Sequence, residues 1–249
     1  MNPIFIFVQI TYPLFKLMEL IKGAVLDNYL ENGYYRWNRT IFTDNICHDD
    51  INNCLVDVFW LRTNLSKLSN LKELSIYKKN KKFTVHIFDG FIDDEVEELY
   101  QQYKTNLKFE PSKTVNQCLN GNSETLPLAI FDTKTIQIRD GKKLIAASYF
   151  DLGAKTIMDI TNFYNPIYKK YSLSKYMMLL KMQLGIDNNM DFYYPGYIAL
   201  NSTLFDYKIF PTEEAVEVFI PDYNKWFPFA QFGKEGLTKY GVLTEMLFG

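Results

Sequence analysis

The segment 157–178 constrains the fold most, because its residue pattern changes abruptly within a short distance. Residues 157–164 are mostly apolar and aromatic, and Asn165-Pro166 ends this run. Ser172 is a favoured residue at helix N-termini. Apolar residues recur after it at three- and four-residue spacing, as in a packed helix. The segment therefore predicts a strand, a short basic loop and a helix that begins near Ser172.

The start of the predicted helix is basic. Lys169, Lys170 and Lys175 lie close to Ser172 and Ser174. A helix N-terminus exposes unpaired N–H groups and the positive end of the helix dipole, so this turn is suited to binding phosphates. An ordinary strand-to-helix turn with solvated lysines explains the same residues. On the turn alone, this ordinary turn is the favoured interpretation, and phosphate binding is the alternative.

The rest of the chain predicts a mixture of helices and strands. From about Pro127 onward, short apolar runs separated by turns predict an antiparallel meander, with Asp140-Gly141 as a hairpin turn. Upstream, strands are predicted at 34–42, 55–63 and 83–88, and helices at 13–31, 65–79 and 93–106. The loop-rich segment 110–126 divides the chain into an N-terminal half, 1–110, and a C-terminal half, 111–249.

Composition limits the kind of partner. The 249 residues include 27 Lys and Arg against 29 Asp and Glu, which gives a net charge of −2. A protein that binds nucleic acid over a wide face is normally basic, so we expect any RNA contact to be local. Three cysteines form no even disulfide set and favour a reducing compartment, so we expect a cytoplasmic protein.

The apolar run 4–10 is the one segment that raises the question of a membrane. It is far shorter than the roughly 20 residues that cross a bilayer, so we expect no membrane contact. We interpret the run as a buried strand or extended arm and as a candidate oligomer contact. The sequence leaves the oligomeric state open.

A series of short motifs resembles a known family. The motifs follow in order over the C-terminal half and are Asp140-Gly141-Lys142-Lys143-Leu144-Ile145-Ala146, Phe163-Tyr164-Asn165-Pro166, Tyr171-Ser172-Leu173-Ser174-Lys175-Tyr176, Tyr194-Pro195-Gly196-Tyr197 and Phe205-Asp206-Tyr207-Lys208. They are similar to the C-terminal half of arginyl-tRNA-protein transferases and their bacterial leucyl-transferring relatives. The resemblance implies an α+β fold with a GCN5-related N-acyltransferase-like C-terminal half, a mixed and mostly antiparallel sheet, and a smaller α+β N-terminal half.

The resemblance also implies a function. It predicts an aminoacyl-tRNA-dependent transferase that moves an amino acid, with arginine favoured, from charged tRNA to the amino group of a peptide or protein. Charged tRNA is then a co-substrate, and we expect no cofactor and no metal. Two alternatives remain: an acyl-CoA-dependent N-acyltransferase of the same fold, and a non-catalytic module that binds tRNA or protein. The turn 170–174 lacks the glycines that acyl-CoA enzymes usually have there, which argues against the first.

Candidate site residues follow from the motifs and their chemistry. An activated ester needs mainly alignment and oxyanion stabilisation for attack by an amine. The predicted catalytic residues are Tyr164, Tyr197 and Asp206; the predicted substrate-binding residues are Tyr35, Arg36, Asp159, Asn165, Gly196 and Lys208; and the predicted tRNA-binding residues are Lys169, Lys170, Ser172, Ser174 and Lys175. Within this set, Arg36 is expected to pair with an acidic acceptor, and Asp159 or Asp206 to bind the arginine guanidinium. Phe163 or Tyr164 is a candidate for stacking on the terminal adenine, with core packing as the other interpretation.

Three departures from the family pattern concern the acceptor. Asn165 stands where the family usually has Asp, and Ser174 stands where it has Gly. Glu73-Leu74-Ser75 replaces a basic family motif. These changes put in doubt the family's usual acceptor, an N-terminal acidic residue, and leave the predicted fold unchanged.

Overall fold

The structure is a computed structural model that describes residues 20–49, 52–107, 111–121 and 130–243. The run 4–10, with its predicted oligomer contact, lies outside these residues, as does the first part of the helix predicted at 13–31.

The helices are α1 (Ala24–Glu31), α2 (Ser75–Asn80), α3 (Asp94–Lys104), α4 (Val115–Asn120), α5 (Leu173–Asp187) and α6 (Gly233–Leu237). The strands are β1 (Tyr35–Trp37), β2 (Thr40–Phe42), β3 (Ile46–Asp49), β4 (Cys54–Asn64), β5 (Thr84–Asp89), β6 (Thr133–Asp140), β7 (Lys143–Leu152), β8 (Thr156–Tyr164), β9 (Phe192–Ala199), β10 (Val216–Ile220) and β11 (Lys225–Pro228).

A nine-stranded mixed sheet forms the centre of the molecule. Its strand order is β11-β10-β4-β9-β8-β7-β6-β5, and β3 pairs with β4 beside this path. Strands β8 and β9 run parallel, while the other pairs recorded in the described residues are antiparallel. The α+β class and the mixed, mostly antiparallel sheet are confirmed.

The predicted meander and strand–loop–helix are also confirmed. β6, β7 and β8 pair in sequence, and α5 leads from β8 to the parallel strand β9. The loop before α5 is a 3₁₀ turn, Pro166–Tyr171. This connection requires a helix because two adjacent parallel strands must be joined by a crossover.

Three upstream predictions are corrected by the structure. The strand predicted at 34–42 is a hairpin of β1 and β2, since Asn38 takes the left-handed conformation (φ 54°) that a tight turn needs. The helix predicted at 65–79 is mostly two 3₁₀ turns followed by the short α2, and Asn70 breaks the regular backbone at φ 55°. The predicted loop 110–126 contains α4, whose first turn is capped by the Thr114 side chain accepting a hydrogen bond from Gln117 N.

Helices cover both faces of the sheet. Tyr149 and Phe150 are neighbours on β7 whose side chains point to opposite faces, and both are fully buried. Tyr149 belongs to the apolar cluster beneath α3 and α4, whereas Phe150 belongs to the cluster beneath α5. Burial on both faces explains why the central strands have long apolar runs instead of strict alternation.

Strands from both predicted halves of the chain share this sheet. β4 lies between β9 and β10, and β5 lies beside β6. The division of the chain at residue 110 stays a prediction. Among the described residues, no helix is long and apolar enough to cross a membrane.

Candidate functional site

The candidate site lies where β8 and β9 stop pairing. Their parallel register extends to Met158 and Tyr194. Beyond this point β9 continues beside β4, and β8 continues beside β7. Tyr35 Oη donates hydrogen bonds to the backbone oxygens of Asp159 and Tyr194 (the latter at 3.0 Å), so it joins the two strands at the point where their pairing ends. This arrangement explains why Tyr35 and Asp159, far apart in sequence, belong to one site.

A buried ion pair lies beside this point. Lys181, on α5 and fully buried, donates from Nζ to Asp159 Oδ1, to Ser148 Oγ at 2.9 Å and to Asn162 Oδ1 at 2.7 Å. Burial lowers the pKa of Lys181, and the charge of Asp159 opposes this shift.

Both oxygens of the Asp159 carboxylate are occupied. Besides the bond from Lys181 to Oδ1, Oδ2 accepts hydrogen bonds from Tyr193 Oη at 2.6 Å and from Asn162 Nδ2 at 2.8 Å. These contacts satisfy a carboxylate that is only 6% exposed. The predicted direct substrate role of Asp159 stays a prediction, and these contacts give the carboxylate a structural role in the interior.

Lys208 is a second buried cation, in a different environment. It lies on the 3₁₀ turn Asp206–Ile209 and is 9% exposed. Its Nζ is 4.6 Å from the ring centre of Tyr197 and 4.5 Å from that of Phe205. No ion pair and no hydrogen bond to Nζ is recorded within the described residues. Burial lowers the pKa of Lys208 to about 8, against the attraction of Asp159.

Gly196 allows Lys208 to approach the backbone of β9. A Cβ atom at this position would lie 2.7 Å from Lys208 Nζ, and the backbone has φ +105°, which side-chain-bearing residues rarely adopt. Gly196 lies within β9, paired with Leu61. A residue without a side chain is therefore required where the Lys208 amine meets the strand.

Several aromatic residues surround this amine, and we call Lys208, Gly196, Tyr197 and Phe205 the Lys208 pocket. Burial, then the charge of Asp159, raises the pKa of Tyr207, the residue before Lys208. Tyr197 contacts Cys47 through a side-chain hydrogen bond, and burial raises the pKa of the Cys47 thiol. The pocket therefore combines one cation with polarisable rings and little water.

The other two predicted catalytic residues lie at the edges of this region. Tyr164, half-buried at the end of β8, packs on Tyr103 at 5.8 Å. Its neighbour Phe163 is fully buried in the core. Asp206 forms an ion pair with Lys234 at 2.7 Å, and its side chain is 39% exposed. Asp206 therefore stays reachable by a substrate, although it has a partner within the chain.

Arg36 and Asn165 have structural partners. Arg36 Nη1 contacts both carboxylate oxygens of Asp151 at 2.8 Å, and Nη2 donates to Leu119 O at 2.7 Å. In this structure the acidic partner of Arg36 is Asp151 of the chain itself, and the expected pairing with an acidic acceptor stays a prediction. Asn165 accepts a hydrogen bond from Ile167 N and donates to Gln102 Oε1 at 2.9 Å, so its amide fixes the turn before α5.

The predicted tRNA-binding residues surround the start of α5. Lys169 and Lys170 are exposed on the 3₁₀ turn. Ser172 takes a left-handed conformation (φ 53°) and forms no side-chain cap, so helix α5 begins where predicted but without the expected capping bond. Ser174 and Lys175 are half-buried, and Lys175 Nζ lies 5.1 Å from the Phe210 ring.

A separate cavity of about 700 Å³ is lined by residues that include Arg36, Phe91, Phe131 and Lys134. None of its lining residues belongs to the Lys208 pocket. Arg36 pairs there with Asp151, and Lys134 with Asp89 at 2.6 Å. Arg36 and Lys134 are thus already paired, and we therefore take the Lys208 pocket as the stronger candidate site. The described residues contain no group of three or more His, Cys, Asp or Glu placed to bind a metal ion.

Sequence reasoning missed the interior partners of Asp159, namely Lys181, Tyr193, Ser148 and Asn162. One signal was present for Lys181, because it is a single charge within the apolar stretch 176–182 of a predicted packed helix. A lysine in such a position is rarely buried without a partner.

Comparisons with known proteins show what the chain is similar to. Residues 95–214 match the family model for the C terminus of arginine-tRNA-protein transferase. No curated protein gave a significant match to the chain. Among solved structures, the C-terminal domain (DUF2156) assigned to a lysylphosphatidylglycerol synthetase from Agrobacterium fabrum has a TM-score of 0.43 at 11% identity, covering 58% of this chain and 49% of that chain. The structure of L-PGS from Bacillus licheniformis has a TM-score of 0.39 at 9% identity, covering 74% of this chain and 52% of that chain.

The chain spans about half the length of these two structures. The family match covers α3 through the 3₁₀ turn that carries Lys208, and so includes the meander, α5, β9 and the Lys208 pocket. Residues 95–214, just under half of the chain, are thus similar to the C terminus of arginine-tRNA-protein transferase.

Proposed function

We propose that the chain transfers an amino acid from charged tRNA to the amino group of a peptide or protein, and that the Lys208 pocket is where the transfer takes place. The family match supports aminoacyl-tRNA as the donor. The observation that carries the assignment of the site is Lys208, a buried ammonium without a counter-ion among the described residues. A buried unpaired cation is costly, and a developing negative charge in the reaction would compensate it.

The reaction needs one bond to form and one to break. The neutral acceptor amine attacks the carbonyl carbon of the ester that links the amino acid to the tRNA 3′ end. A C–N bond forms, and the carbonyl oxygen becomes negative. The Lys208 ammonium stabilises this oxyanion, and the rings of Tyr197 and Phe205 hold the Lys208 side chain in place. The C–O ester bond then breaks, and the proton lost by the amine leaves with the ribose oxygen.

Arginine is the donor that we propose, because the family resemblance favours it. Of the two carboxylates expected to bind its guanidinium, Asp159 is occupied by Lys181 and Tyr193. Asp206 remains, since its side chain is 39% exposed and its ion-pair partner, Lys234, is itself partly exposed, so we propose that a guanidinium can take the place of Lys234. Asp206 is therefore the residue to test for donor selection.

The test is a transfer assay with labelled arginyl-, leucyl- and lysyl-tRNA and a peptide with a free N-terminal amine. The same peptide with an acetylated N-terminus is the acceptor control. We expect Lys208→Gln to lower the transfer rate by about 100- to 1,000-fold, as loss of an oxyanion donor does. Lys225→Gln, an exposed lysine on β11, is the matched control and should transfer normally.

The dependence on pH sharpens this test. Because the pKa of Lys208 is about 8, the ammonium is lost as the pH rises through that value, and wild-type transfer should fall above it. Lys208→Gln should lack this decline. Transfer from acyl-CoA instead of charged tRNA would favour the acyltransferase alternative, and absence of transfer from every donor would refute the proposed function.

A further inference from the structure

Two lysine-rich segments that are distant in sequence meet around one tyrosine ring. Lys79 on α2 and Lys82 just after it come from the N-terminal half, while Lys170 precedes Tyr171 in the turn before α5. Their Nζ atoms lie 5.5, 4.6 and 5.2 Å from the centre of the Tyr171 ring, respectively. We call Lys79, Lys82, Lys170 and Tyr171 the Tyr171 lysine cluster.

Interior contacts hold this cluster in place. Asn80 is fully buried, and its Nδ2 donates to Tyr171 O at 2.9 Å. The buried ring of Phe83 packs edge-on against Tyr171 at 5.1 Å. Lys79 Nζ donates to Lys170 O, and Lys82 Nζ donates to Tyr171 Oη at 2.8 Å. The fold therefore places the three ammonium groups on one surface.

Few acidic groups compensate this charge. Asp140 accepts a hydrogen bond from Tyr168 Oη at 3.0 Å, beside the cluster, and Glu73 pairs with Lys78 at 2.7 Å. None of the three cluster lysines has a recorded ion pair with a described residue. The Tyr171 ring face attracts the ammonium groups, but three like charges around one ring still repel one another. An anion with several charged groups would remove this repulsion.

Lys175 and Phe210 link the cluster to the Lys208 pocket. Lys175 is four residues after Tyr171, near the start of α5, and its Nζ lies 5.1 Å from the centre of the Phe210 ring. Phe210 is two residues after Lys208 on the segment that forms the pocket. The start of α5 therefore connects the two groups of residues through this contact.

We propose that the Tyr171 lysine cluster binds the phosphate backbone of the tRNA acceptor arm, so that the N-terminal half contributes Lys79 and Lys82 to the tRNA contact. This inference rests on the proposed function, since it places the arm whose 3′ end enters the Lys208 pocket. Aromatic and basic residues on one surface are the combination that backbone contacts to RNA use. The contact is local, as a protein of net charge −2 requires.

The test compares the double variant Lys79→Ala/Lys82→Ala with the matched control Lys142→Ala/Lys143→Ala, which removes two exposed lysines from the β6–β7 turn. Both are made in the full chain, and melting temperatures verify folding. Binding of uncharged tRNA is measured over a range of salt concentrations. We expect the cluster variant to bind roughly ten-fold more weakly and its log–log salt slope to shrink by about one to two units, while the control changes little.

A second measurement separates this inference from the proposed function. Transfer from 3′-aminoacyl-adenosine, which lacks the acceptor arm, should be equal in wild type and the cluster variant, whereas transfer from full charged tRNA should show a higher KM in the variant. Unchanged tRNA binding, or a change equal to that of the control, would overturn the cluster assignment. Intact tRNA binding without transfer from either donor would instead refute the proposed function and leave the cluster assignment standing.

Discussion

Asp159–Lys181 and Lys208 are both buried charges of the same sheet region, and they differ in what surrounds them. Lys181 has a carboxylate, a hydroxyl and an amide oxygen as partners. Lys208 has two aromatic rings and the bare backbone of Gly196. A buried charge that has a counter-ion and hydrogen-bond partners serves to hold the structure together. A buried charge without a counter-ion costs stability and is suited to act on a ligand.

The largest effect that would test this comparison is expected from Lys181→Met. The variant leaves the Asp159 carboxylate buried without its cation, so we expect the free energy of unfolding to fall by about 3 to 5 kcal/mol. Urea unfolding at pH 7 measures it. The double variant Lys181→Met/Asp159→Asn is the control and should recover much of the loss, because it removes both charges. If the single variant is as stable as wild type, the pair is not the framework element that we describe.

Lys208→Met should act in the opposite direction. The folded pKa of about 8 lies below the ordinary value of 10.5, so the buried ammonium destabilises the folded state at neutral pH. Its replacement should raise the free energy of unfolding by up to about 3 kcal/mol at pH 7, since each pKa unit corresponds to about 1.4 kcal/mol. Transfer should be lost at the same time.

The pH dependence of stability tests whether the buried Lys208 ammonium destabilises the folded state. Between pH 8 and 10.5 the unfolded chain binds more protons than the folded one at Lys208, so this group makes wild-type stability rise with pH across that window. The advantage of Lys208→Met over wild type should therefore shrink as the pH rises from 8 to 10.5. If the difference in free energy of unfolding between the two proteins stays constant over this range, burial does not lower the pKa of Lys208.

Gly196→Ala is expected to have the smallest effect of the three. The added methyl group meets Lys208 Nζ and occupies a backbone with positive φ, so we expect a loss of about 1 to 3 kcal/mol. Gly141→Ala is the control, because Gly141 also has positive φ but no atom within 4 Å of the added Cβ. Thermal unfolding of both variants measures the excess at Gly196. Equal losses would mean that the contact with Lys208 contributes nothing.

Much of the architecture followed from local patterns. The strand–loop–helix at 157–178 and the Asp140-Gly141 hairpin lie where residue periodicity or turn residues predicted them. Where local signals were weak, at 65–79 and 110–126, short turns and a capped helix replaced the prediction. Hydrophobic spacing determines which face of an element is buried, and this can be recognised from neighbouring residues alone.

The sequence by itself determined the order of strand, loop and helix at 157–178 and the helix start at the basic turn. Only the tertiary structure decided which charges meet. Lys181 and Asp159 are 22 residues apart, Arg36 and Asp151 are 115 apart, and Asn80 joins Tyr171 across 91 residues. Such partners are brought together by strand order and helix packing, which no local spacing specifies. The same packing left Lys208 without a carboxylate partner among the described residues, which is why we propose the pocket as the site.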